Sequence, residues 1–275
     1  GIKGLLDRQY VDLSQKIRSA MEIDLLKRTP SSYLGSCRYK LPDVASDKAT
    51  FEKIFAILKE LEIEYFFYIG GNDSMDTIAK LSQYAEEIKS PIRFIGVPKT
   101  IDNDLAITDH TPGFGSAAKF IASTMKEIIR DGLVYDYPTV TVVEIMGRNA
   151  GWLTAASALS KSEDCEGVDL IYLPEKPFNI DMFITRVKEI SASGKSVVIA
   201  VSEGIKLPDG RYVFELGQHA DSVDAFGHKQ MSGTASFLAT KLQLELGVKA
   251  RAIELSTLQR CAAHISSRTD ITEAF

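Results

Sequence analysis

Long hydrophobic runs, clustered cysteines, an excess of basic charge and internal repeats are all missing from this sequence, and each absence closes a class of protein. No apolar run approaches the roughly 18–20 residues of a membrane span, and no signal peptide opens the chain. The three cysteines, Cys37, Cys165 and Cys261, are scattered without CxxC spacing. They indicate neither a zinc site nor a disulfide framework and fit a reducing compartment, so a cytoplasmic location is expected. The net charge of −5 argues against general nucleic-acid binding. An anionic small substrate must therefore find local basic residues. No low-complexity segment, fixed-period repeat or Pro/Gly/Ser-rich linker divides the chain. The first residue is Gly rather than Met, and GIKGLLDRQYVDLS reads as the middle of a longer segment, so residues beyond this sequence are expected.

What is present is a 275-residue chain, 45% hydrophobic and 25% charged, long enough for one large or two medium domains. Short β-rich runs alternate with helical patterns. The runs are Ile63–Ile69, Ile92–Val97, Thr139–Ile145, Val168–Leu173 and Ser196–Val201. They are continuously apolar, which suits strands buried on both faces. Between them Phe114, Ala118, Ile121, Met125 and Ile128 share one helix face. Residues 50–61, 75–88, 149–160, 179–192 and 230–246 carry similar patterns. Such alternation predicts an α/β fold with parallel sheet and right-handed crossovers. A further strand, VKARAIEL, and a helical TLQRCAAHISS follow. A lobe boundary is expected near 135–140.

The stretch Gly96–Asp104, GVPKTIDND, organises the chemistry. An apolar run delivers a lysine and two aspartates, Asp102 and Asp104, at a strand end, where ligands of open α/β sheets bind. In an extended segment both carboxylates point the same way. One can act as general base while the other holds Mg2+ or orients the first. Lys99 can neutralise phosphoryl charge. An Asp/Asn-rich turn is the alternative, and three charges in one short loop favour function.

Further strand ends carry compatible residues. Gly70-Gly71-Asn72-Asp73-Ser74 follows a strand and precedes a helix. It reads as an anion-binding helix start or as a tight turn with an N-cap, the latter on local grounds alone. Gly113-Phe114-Gly115-Ser116 reads first as a helix start and second as a phosphate contact. Met146-Gly147-Arg148 offers close backbone approach and a guanidinium for phosphate. Glu203 in Ser202-Glu203-Gly204 can accept from sugar hydroxyls or cap a helix. Arg38, Arg251 and Arg260 individually read as surface charges.

GGNDS, PKTIDND, TPGFGSA, MGRNAGW, SEG and RAIELSTLQR, in this order, resemble the phosphofructokinase family over nearly the whole chain. The resemblance implies two α/β lobes of parallel or mostly parallel sheet flanked by helices. Residues 1–137 would be a donor-phosphate-binding lobe and 138–275 a sugar-phosphate-binding lobe. It implies Mg2+-dependent phosphorylation of the 1-hydroxyl of fructose 6-phosphate. ATP-using members typically carry GGDGS and PGTIDND; Asp73 and Lys99 here resemble the pyrophosphate-dependent branch. A side chain at Asp73 fills space where a nucleotide would pass, and Lys99 supplies charge for a compact pyrophosphate. Such a reaction is near-reversible and serves glycolysis and gluconeogenesis.

By the same resemblance Asp102 is the base, assisted by Asp104. Thr100 and Lys99 contact the transferring phosphoryl group. Gly71, Asp73, Ser74, Gly115, Ser116 and Arg38 lie along the donor phosphates, and Asp73, with Asn72 as a second candidate, holds Mg2+. Met146, Gly147, Arg148, Glu203, Arg251 and Arg260 hold the sugar phosphate. A homodimer or homotetramer is implied, with no nucleic-acid or membrane partner. The chain departs from the family in four ways. Asn72 replaces a metal-binding Asp, and YDYPTVTVVEI lacks an arginine that reaches a neighbouring subunit. Thr257 stands where many members place a histidine, and the family's N-terminal glycine loop and C-terminal segment lie outside the sequence. ATP-dependent phosphofructokinase and a non-catalytic sugar-phosphate-binding subunit are the alternatives.

Overall fold

The computed structural model describes residues 1–217 and 233–274. The chain divides into two compact units, Gly1–Thr100 and Ile101–Phe275. The expected lobe boundary at 137/138 falls inside the second unit, just ahead of its first strand.

The first unit begins with three helices that the sequence pattern left unassigned, α1 (Ile2–Leu6), α2 (Leu13–Lys16) and α3 (Ala20–Arg28). Ser19 and Glu22 cap α3 reciprocally, each accepting from the other's backbone amide. Then come α4 (Lys48–Glu60), β1 (Tyr65–Gly70), α5 (Asn72–Glu87) and β2 (Arg93–Pro98). β1 and β2 pair in parallel, Tyr65 against Arg93 through Gly70 against Pro98. Phe51, Ile54, Phe55 and Leu58 of α4 and Leu81 and Tyr84 of α5 pack on Phe66, Tyr68 and Phe94. This covers one sheet face only. Tyr65, Phe67, Ile69, Ile95 and Val97 on the other face are exposed, which corrects the expectation of strands buried on both sides. Their alternate residues are apolar although no helix of this unit covers them among the described residues.

The second unit contains α6 (Phe114–Gly132), β3 (Val140–Ile145), α7 (Trp152–Ala156), β4 (Leu170–Tyr172), α8 (Ile180–Ser191), β5 (Val197–Ser202), α9 (Thr234–Leu246), β6 (Ala250–Glu254) and α10 (Arg268–Ala274). Its four strands form one parallel sheet in the order β4-β5-β3-β6. Every residue of β3 and β5 is buried. Val140, Val142, Val197 and Ile199 face α8 and α9. Val143, Ile145, Val198 and Ala200 face α6 and α7. Helices on both faces explain the continuous apolar runs of these central strands. The expected helix over 230–246 starts at Thr234 among the described residues; 230–232 lie outside them. TLQRCAAHISS forms two short 3-10 turns, Ser256–Arg260 and Ala263–Ile265, instead of one helix. No described helix is long and apolar enough to cross a membrane.

Candidate active site

In the first unit the parallel pairing of β1 and β2 brings GGNDS and PKT side by side. Lys99 N donates to Gly70 O at 3.0 Å. A Cβ on Gly71 would lie 3.9 Å from Lys99 O. Gly71 caps α5 without a side-chain hydrogen bond, and Asp73 sits in the first turn. Asn72, Asp73 and Lys99 are exposed, and Ser74 is half-buried against Gly70. This sets the acidic first turn of α5 beside the Lys99 backbone at two neighbouring strand ends. Arg38 lies exposed in the irregular segment between α3 and α4.

In the second unit the loops after β3 and β5 interlock. Ile145 is in register with Ser202, and Glu203 N donates to Ile145 O at 2.9 Å. Ser202 Oγ donates to Gly147 O at 2.7 Å and accepts from Gly204 N at 3.0 Å. Gly147 N donates to Glu203 Oε1 at 3.3 Å. Gly147 needs its glycine, with φ at +132° and Ala150 O only 2.4 Å from where a Cβ would stand. Gly204 is equally constrained, because a Cβ there would stand 1.9 Å from Arg148 O. Burial, with the Asp102 charge adding to it, pushes the Glu203 carboxyl up to about 7. The Gly147 amide, Arg148 and Arg260 oppose that shift. Asp102, Arg148, Glu203 and Arg260 therefore share one electrostatic neighbourhood, which can hold a hydroxylated anion beside a carboxylate.

Asn103, between the two aspartates, is buried with φ at +55°. Its Oδ1 accepts from Thr111 N at 2.9 Å and its Nδ2 donates to Asp109 O at 3.3 Å. This brace turns the backbone between Asp102, half-buried, and Asp104, exposed. Thr100 is half-buried at the end of the first unit.

Two groups of expected site residues have other partners in this chain. Gly115 and Ser116 do not offer an open anion cradle. Asp270 of α10 accepts from Gly113 N at 2.9 Å and Ser116 N at 2.6 Å, so a carboxylate of the same chain caps α6. Ser267 N donates to Ser116 Oγ at 2.9 Å. Arg251 is not brought to the Glu203 cluster. It pairs in register with Thr141, at the opposite end of the sheet from Met146. There Nε donates to Thr141 Oγ1 at 3.0 Å and Nη2 pairs with Asp131 at 2.9 Å.

Several supporting residues went unread in the sequence. Buried Gln259 accepts from Met146 N at 3.0 Å. Glu175 accepts from Gly151 N at 2.6 Å, steadying the far end of the MGRNAG loop. Glu144 is buried inside β3, and its charge amid TVTVVEI was the one available signal. No cluster of three or more His, Cys, Asp or Glu suited to a metal exists among the described residues. A single exposed carboxylate, Asp73, beside the Asn72 amide does suit Mg2+, which is often held by one or two carboxylates with substrate phosphates completing its shell.

The phosphofructokinase family profile matches residues 1–260. The chain belongs to the phosphofructokinase family. It is 42% identical over 276 residues to a pyrophosphate–fructose 6-phosphate 1-phosphotransferase of Xanthomonas campestris pv. campestris, covering 100% of this chain and 65% of that one. It is 40% identical over 277 residues to the enzyme of the same name from Halomonas elongata, again covering 100% and 65%. The crystal structure of a pyrophosphate-dependent phosphofructokinase from Nitrosospira multiformis superposes with a TM-score of 0.82 at 36% identity, covering 100% of this chain and 63% of that one. This phosphofructokinase-family chain thus spans about 65% of the length of the curated relatives it matches.

Proposed function

We propose that the protein containing this chain transfers a phosphoryl group from pyrophosphate to the 1-hydroxyl of fructose 6-phosphate, giving fructose 1,6-bisphosphate and phosphate. The observation that carries this reading is the cluster of Asp102, Arg148, Glu203 and Arg260. In it, Glu203 and the Met146–Arg148 loop bind sugar hydroxyls and phosphate, and Arg260 adds charge at the phosphate end. Asp102 takes the proton of the 1-hydroxyl as its oxygen attacks the terminal phosphorus of pyrophosphate, and phosphate leaves. Asp104 assists Asp102 and orients the substrate. Thr100 and Lys99 contact the transferring group. Lys99 and the GGNDS helix start supply positive potential to the donor, as phosphoryl transfer rests mainly on positioning and charge stabilisation. Gly71, Ser74 and Arg38 complete the donor side. Asp73 and Asn72 would hold Mg2+, which supplies charge neutralisation on pyrophosphate when bound.

Pyrophosphate is favoured over ATP by the Lys99–Asp73 pair and by the names of the relatives. We further place the protein in the cytoplasm as a homodimer or homotetramer working reversibly between glycolysis and gluconeogenesis. Its lobes would be 1–137 and 138–275.

The test is an assay of the full-length protein with fructose 6-phosphate and Mg2+, supplying pyrophosphate or ATP. Product with pyrophosphate and little with ATP is expected. Activity with ATP alone would overturn the donor assignment. Calorimetric binding of fructose 6-phosphate without turnover would point to a regulatory subunit.

A further inference from the structure

Glu144 is a carboxylate in a place built for a hydrocarbon. It is 5% exposed, between Val143 and Ile145, which are both fully buried. By strand alternation it shares the face of Val140 and Val142, which packs on Ala235 and Leu238 of α9. Its Oε2 accepts from Ala235 N at 2.8 Å, and the Gly233 amide donates to it as well. α9 has no cap from its own N-cap residue, so Glu144 reaches across from β3 to satisfy the amides of that first turn. The next link is Thr234, fully buried, whose Oγ1 donates to Glu203 O at 3.4 Å. Glu203 in turn accepts from Gly147 N. One line of contacts therefore runs from β3, through the first turn of α9, to the carboxylate that faces Asp102, Arg148 and Arg260.

This arrangement costs stability. Burial pushes the Glu144 carboxyl up to about 7, with the Glu254 and Glu203 carboxylates adding to it and the Ala235 and Gly233 amides opposing it. An apolar residue would fill the space without that cost. A buried charge set against two like charges is explained by what it holds in place.

We propose that Glu144 is a positioning residue for the sugar-phosphate site: holding the first turn of α9 against β3, it fixes the Thr234–Glu203 contact and with it the Glu203–Gly147 cradle. The inference rests on the proposed fructose 6-phosphate reading of that cradle. In the full-length protein, Glu144→Leu removes the acceptor and Glu144→Gln keeps one acceptor oxygen of the same shape. The Leu variant is expected to raise KM for fructose 6-phosphate by about tenfold, the scale of one hydrogen bond to a buried charge, with kcat little changed. It should also speed hydrogen exchange at Ala235. The Gln variant is expected to restore KM, and its KM–pH profile should move to lower pH, since one like charge facing Glu203 is gone. If the Leu variant does not fold, Glu144→Asp carries the test, because it withdraws the carboxylate by one methylene and should also raise KM. Unchanged KM in the Leu or Asp variant of an active enzyme overturns the inference alone. A wild-type protein that neither binds nor turns over fructose 6-phosphate overturns the functional reading and the inference with it.

Discussion

Gly204 is where the loops after β3 and β5 touch, and Gly204→Ala tests that contact directly. The added Cβ would stand 1.9 Å from Arg148 O, 2.6 Å from its carbonyl carbon and 2.9 Å from its Cα. Unstrained carbon contacts need on the order of 3.5 Å, so one backbone segment has to move by about 1 Å or more. The atoms in the way are backbone, and no rotamer change relieves them. Overpacking of this kind costs about 1–3 kcal/mol, and the upper end applies here. At roughly 2–4 °C per kcal/mol for a chain of this size, melting should fall by about 6–12 °C. The displacement falls on Arg148 and on the turn carrying Glu203, so kcat/KM for fructose 6-phosphate should drop by about 10²-fold, as misplacements near 1 Å do. Thermal melts and steady-state kinetics on the full-length variant measure both. A melting point within about 1 °C of wild type together with unchanged kinetics would refute the interlocked-loop geometry.

Three further outcomes are expected. Asp102→Asn should lower turnover by at least about 10²-fold with KM little affected, and near-wild-type turnover would remove Asp102 from the role of base. Lys99→Gly combined with Asp73→Gly should raise ATP use relative to pyrophosphate, read as the ratio of kcat/KM for the two donors. Glu144 should make stability fall with rising pH. Its carboxyl rises from 4.5 to about 7 on folding, so its favourable contribution is complete below the unfolded value and is lost as pH climbs through the folded one. Glu144→Gln should thus be more stable than wild type at pH 8, by an amount on the order of 3 kcal/mol at most, and the gain should vanish near pH 4.5. Urea melts across that range check the sign.

Much of the second unit was legible because β3 and β5 are covered by helices on both faces, and their unbroken apolar runs say so. The same signature misled in the first unit. Tyr65, Phe67 and Ile69 are apolar and exposed, and period-2 alternation disappears when both sets of residues are hydrophobic. The candidate loops stand out in the sequence for a local reason: glycine and charge follow directly on an apolar run, at the ends of strands. The supports were not. Gln259 reaches Met146 across 113 residues, and Asp270 reaches Gly113 across 157. Both act on backbone amides, which leave no pattern in the sequence. The place of Arg251 was unreadable for a related reason, since register rather than proximity to Arg260 in the chain decides its end of the sheet.

The cap that Asp270 places on α6 also bears on how the protein is made. Chains leave the ribosome at about 5–20 residues per second, and segments fold as their partners emerge. The start of α6 is synthesised well before the carboxylate that satisfies its Gly113 and Ser116 amides, which follows 157 residues later. For that interval the amides remain with water, and the start of α6 lacks its fastening. The second unit is thus closed late, by a long-range contact of the kind that slows folding.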